Sequence, residues 1–143
     1  MFKIAVIVVY IFLIHSYSFA QDSIVDLPLD SLIRKWEGRD GAMFQEIGPE
    51  FCAQLVSNPQ HFFKTMKRNP ESFFSWVKSL QSSSFTIYYF ASKQDSINKG
   101  DRLKNLRKNM LSSSTMIDKD STYKEMTGKL IEALQGMKIR YID

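Results

Sequence analysis

Beyond residue 20, apolar residues return at intervals of three and four along most of the chain, the spacing that gathers side chains on one face of an α-helix. Leu29, Leu32, Ile33 and Trp36 form the first such stripe, with Pro28 ahead of it and Gly38 behind. Proline costs least at a helix start, where its missing N–H would have had no partner, and glycine suits the residue that ends a helix. Asp40-Gly41 predicts a turn, and Met43, Phe44 and Ile47 predict a short helical piece that stops at Gly48.

Three segments then superpose on their prolines: GPEFCAQLVS from 48, NPQHFFKTMKR from 58 and NPESFFSWVKSL from 69. One residue after each proline stands Glu50, Gln60 or Glu71, suited to the free N–H groups and dipole of a first helical turn. Asn58 and Asn69 are good N-caps, and Gly48 is a weaker one. The third, fourth and seventh residues after the prolines are Cys52, Ala53 and Val56; Phe62, Phe63 and Met66; Phe73, Phe74 and Val77. Each segment therefore predicts a separate helix of about two to three turns, too short to stand alone in water. The third runs on through Leu80 to the serines at 82–84. A period of about 11 residues is far below the 33 to 47 of helical solenoids, so the phrase punctuates a scaffold rather than marking a solenoid repeat.

FTIYYFA, residues 85–91, combines strand-favouring residues with an unbroken apolar run that fits a buried helix equally well. With no evident strand partner, a helix capped by Ser84 is expected. Residues 96 to 112 predict a helix with Leu103, Leu106, Met110 and Leu111 on one side, ended by Ser112 to Ser114. The last helix has capping-box spacing at Thr122 and Glu125, a stripe of Tyr123, Met126, Leu130, Leu134 and Met137, and a stop at Gly136. MKIRYID alternates apolar and charged residues, as an extended or a fraying tail would. The expected fold class is all-α, a compact bundle or short irregular solenoid-like array of about six or seven short helices.

Residues 1–20 follow another pattern: Lys3, an apolar run from Ile4 to Ile14, and small residues at Ser18 and Ala20. That is the layout of a cleaved secretory signal peptide, and His15 to Ser18 interrupt the run well short of the length a membrane span needs. Export to the periplasm or beyond is expected, with a single helical domain over 21–143. No cysteine lies near the cleavage point, which excludes a lipoprotein anchor.

Composition narrows the partners. Without Lys3 the chain has 18 basic against 15 acidic side chains, a net +3, too mild to argue for nucleic acid. Cys52 is the only cysteine, so no intramolecular disulfide can form. Packing has to supply the stability, and 11 Phe, 6 Tyr and 2 Trp provide the surface for it.

Candidate chemistry is sparse. Cys52 falls in an apolar stripe while His61 lies about 100° round the helix from that position, so the two do not read as a nucleophile and base. No zinc, EF-hand or phosphate-loop spacing is present, and no cofactor or metal is expected. The acidic groups at Glu37 to Asp40 and Asp118 to Asp120 read as caps and turns. Arg102, Lys104, Arg107 and Lys108, with Lys99, form the densest basic run; Phe85, Tyr88, Tyr89 and Phe90 form the densest aromatic one. Aromatic side chains dominate cores and interface hot spots alike, and adjacent tyrosines bring at least one hydroxyl to water or a partner. Arg102, Lys104, Arg107, Lys108, Tyr88 and Tyr89 are the candidate binding surface. The expected function is a non-catalytic protein-binding module whose basic strip guides an acidic partner. The alternatives are a small cell-envelope hydrolase using carboxylates such as Glu46, Glu50 or Glu71, and an envelope protein engaging an anionic membrane or polymer surface without spanning it.

Overall fold

In the computed structural model, residues 28 to 142 are described, so the expected signal peptide lies outside them. Six α-helices follow in order: α1 Leu29–Glu37, α2 Met43–Ser57, α3 Pro59–Met66, α4 Pro70–Ser84, α5 Lys93–Ile117 and α6 Lys124–Gly136. A 3-10 turn, Ser121–Tyr123, precedes α6, and two short strands, β1 Thr86–Ile87 and β2 Arg140–Tyr141, pair in parallel. The fold is all-α, as the periodicity predicts. No helix among the described residues is long and apolar enough to cross a membrane.

Helix α1 is built as expected: Pro28 stands at its entrance, Gly38 at its exit, and Leu29, Leu32, Ile33 and Trp36 are buried. Pro59 and Pro70 occupy the first turns of α3 and α4. The two asparagines before them differ. Asn58 accepts from the His61 N–H at 3.1 Å, whereas Asn69 does not cap and turns its side-chain amide to the Thr65 carbonyl at 3.0 Å.

Pro49 overturns the first of the superposed segments, because it lies inside α2 rather than opening a helix. Phe44, Ile47, Gly48, Phe51 and Leu55 run on through it at three-to-four spacing, and burying that continuous face outweighs one lost backbone hydrogen bond. The buried register is accordingly Ile47, Phe51, Cys52 and Leu55, with Ala53 and Val56 only half-buried.

The helix expected over 85–91 is also absent. Ser84 ends α4, and the chain turns into β1, where Thr86 stands opposite Arg140 and Ile87 opposite Tyr141. The missing strand partner is the C-terminal tail, from which Arg140 N–H donates to the Phe85 carbonyl at 3.0 Å and Ile142 N–H to the Ile87 carbonyl at 2.9 Å. The serines at 112–114 do not end α5, since Met110, Ser114 and Ile117 continue its buried face. Nor does Thr122 cap α6: Asp120 accepts from Thr122 N–H at 2.9 Å to hold the 3-10 turn, and α6 starts two residues later.

The core is an aromatic lattice. Phe51 packs edge-on against Trp36, Phe62 and Trp76 with centroids 5.6, 6.5 and 5.7 Å apart, and Phe63 extends the series to Phe73 and Tyr123. Each such pair contributes about 0.5–1.5 kcal/mol beyond simple burial. The lattice ties α1 to α4 together and reaches the turn before α6, where Met126, Leu130 and Leu134 close the core.

Candidate functional site

Cys52 and His61 are separated by the fold. Cys52 on α2 is fully buried, and burial pushes its thiol up to about 12 against the smaller, lowering effect of a hydrogen bond with Ser84. His61 is exposed in the first turn of α3. A protonated thiol sealed in a core is no nucleophile.

The three glutamates do not converge. Glu46 and Glu50 share a cleft of about 140 Å³ with Leu32, Lys35, Met43 and Ile47, whereas Glu71 lines another of about 240 Å³ with Trp36, Glu37, Arg39, Ser72 and Ser75. Desolvation raises Glu50 and the nearby Lys35 charge partly offsets it. Both clefts are smaller than the roughly 300 Å³ at which small-molecule sites begin. In the second, Glu37 accepts from the Ser72 hydroxyl at 2.9 Å, and Arg39 donates to Ser75 while lying 3.9 Å over the Trp36 ring. Those partners pin α1 to α4. Among the described residues no cluster of three His, Cys, Asp or Glu side chains could hold a metal.

The basic run is divided by the geometry of α5. At about 100° per residue, Arg102 and Lys104 project about 160° apart, so they cannot belong to one strip. Lys104 is exposed and paired with Asp101 at 2.8 Å. Arg107 is half-buried and donates through Nη1 to the Met137 carbonyl, which fastens α5 to the end of α6. Lys108 is exposed. Lys99 pairs with Asp95 at 2.8 Å and donates to the Tyr89 carbonyl at 2.8 Å.

The aromatic run is divided too. Phe85 and Ile87 enter the core, while Tyr88 and Tyr89 are exposed, Tyr89 at 74%. Tyr88 is nevertheless anchored, donating its hydroxyl to the Ser82 carbonyl at 2.9 Å.

The roomiest of these concavities is a groove of about 430 Å³ between α4 and α6. Its apolar part is Val77, Ala133, Gly136 and Met137; Lys78, Gln81, Lys129 and Glu132 form the rest. Gly136 has nothing within 4 Å of where a β-carbon would sit, which leaves that end of the groove open. The one acidic wall residue, Glu132, stands 3.5 Å from Lys129. Of the basic run, Arg107 touches a groove residue, through its bond to the Met137 carbonyl, without lining the groove itself. Sequence reasoning placed Val77 and Met137 in core stripes and missed the groove, which exists only because α4 and α6 lie side by side.

Comparison with protein-family models, characterised proteins and solved structures finds no match. The class that fold and surface define is a small all-α domain with an aromatic core and an open groove bordered by lysines.

Proposed function

We propose that the chain is an exported, non-catalytic binding module that captures an acidic protein segment in the α4–α6 groove. The carrying observation is the groove itself, where apolar Val77, Ala133 and Met137 lie between Lys78 on one helix and Lys129 on the other. An amphipathic partner buries its apolar side there and sets its acidic side against the lysines. The pattern of residues 1–20 is what supports export.

The test is capture of partners from a native envelope extract by wild type, Ala133→Trp, which fills the groove, and Lys78→Glu/Lys129→Glu, which reverses its charge. Both variants are expected to lose a stoichiometric partner while keeping their helical circular dichroism. Retention by both would refute the groove.

A second reading, a small envelope hydrolase, is favoured by one observation only: burial raises Glu50 beside Glu46 in a shared cleft. Loss of cell-wall polymer cleavage in Glu50→Gln would support it over the binding module.

A further inference from the structure

Of the large apolar side chains that stand exposed among the described residues, Tyr88, Tyr89, Tyr141 and Ile142 belong to the two-stranded sheet or to the residues directly after its strands. Helix α5 packs beside them. Lys99 donates to the Tyr89 carbonyl and lies 5.6 Å over its ring, and the Tyr141 hydroxyl fills the space over Gly100, the residue after Lys99. This surface carries the free edge of the two-stranded sheet. Arg140 and Ile142 spend their N–H groups on β1, and in a parallel ladder alternate residues face the partner strand. The N–H and carbonyl of Tyr141 therefore turn away from β1, as an unpaired strand edge does.

A bilayer surface takes several aromatic side chains with their polar tips free for the headgroup layer, but the Tyr88 hydroxyl is committed to Ser82 and that of Tyr141 is turned onto Gly100, which leaves Tyr89 as the one ring of the three presented outward. A second copy pairing edge to edge would set residues 138–142, with Lys138 and Arg140 and no carboxylate, against the same positive segment, and like charges across strands repel. An acidic segment meets neither objection. The carboxylates on this part of α5, Asp95 and Asp101, are already paired with Lys99 and Lys104, and no carboxylate among the described residues pairs with Arg140.

We infer that the free edge of β2 accepts an extended acidic segment of a partner protein as a third strand, alongside Arg140 and Tyr141. This rests on the binding-module reading and specifies its partner. Met137 lines the groove and Tyr141 lies four residues on, about 13 Å at strand rise, so one partner chain can occupy groove and edge in succession.

The probe is a displayed library of random dodecapeptides selected against the full chain, with no bias in charge or pattern. Selected peptides are expected to be rich in Asp and Glu, to weaken about tenfold on Arg140→Glu, and to slow hydrogen exchange of the Tyr141 amide about tenfold when bound to wild type. Peptides that Ala133→Trp abolishes, but that ignore Arg140→Glu and leave the Tyr141 amide unprotected, overturn the strand edge and leave the groove standing. Selection of no acidic peptide, concentration-dependent self-association through β2, or binding of phosphatidylglycerol vesicles in place of peptide each overturns it as well. The envelope capture remains the separate test of the groove.

Discussion

At Gly48 helices α2 and α4 approach closely: a β-carbon there would lie 2.6 Å from the Ser83 side chain and 2.8 Å from the Ser84 hydroxyl. Both serines are buried, with their hydroxyls 3.1 Å apart, so neither has open space to move into. Gly48→Ala is expected to cost about 1–3 kcal/mol, as overpacked cores do. Urea unfolding of Gly48→Ala and of Gly48→Ala/Ser83→Gly checks it, and the double variant should recover part of the loss. The adjoining Cys52 makes stability depend on pH. Its thiol proton is released near the ordinary 9.0 in the unfolded chain but held to about 12 in the folded one. Between those values the folded state binds the extra proton, so its stability falls as pH rises, by at most about 1.4 kcal/mol per unit. Cys52→Ala should flatten the decline of urea midpoints between pH 9 and 11; parallel profiles would contradict the assignment.

At the scale of elements, the informative residue is Pro49. Inside α2 it supplies no N–H for the carbonyl one turn back, and it is exposed, so its ring contributes little packing. Pro49→Ala is expected to stabilise the protein by about 1 kcal/mol or more, given the roughly 3 kcal/mol that separates the two residues in helix interiors. A lower thermal midpoint would mean that the proline shapes the α2–α4 crossing at Gly48. The two Asn-Pro phrases make a related point: the same letters cap α3 through Asn58 and not α4 through Asn69, whose amide is drawn to the end of α3. A cap is a local preference, and a neighbouring helix end can outbid it.

For the molecule as a whole, Trp36 and Trp76 both contact Phe51, so one aromatic lattice spans α1, α2 and α4. Loss of any of these helices exposes both indoles to the same collapse. Tryptophan emission and helical circular dichroism are therefore expected to change at one denaturant midpoint, as in a single cooperative unit. Two separated transitions would show that α5 and α6 fold apart from the rest.

The helical class, the Phe62, Phe63 and Phe73 stripes, the burial of Cys52 and the exposure of His61 could be read from the sequence. Each follows from side-chain spacing within a few turns, and local spacing is what a linear pattern records. What lay beyond it depended on residues far apart. Thr86 and Ile87 became a strand because the tail at Arg140–Tyr141 came alongside, Pro49 stayed inside a helix because burial of Ile47, Phe51 and Leu55 was worth more than a break, and the serines of α5 held because Ser114 faces the core. The candidate surface was divided partly for the same reason: the bond to the Met137 carbonyl, 30 residues on, takes Arg107 to the end of α6, whereas the parting of Arg102 from Lys104 follows from helical rotation alone and was legible in their spacing. Sequence alone determined which faces are apolar; tertiary structure decided which of those faces stay open, because a groove or a free strand edge is defined by the neighbour that does not cover it.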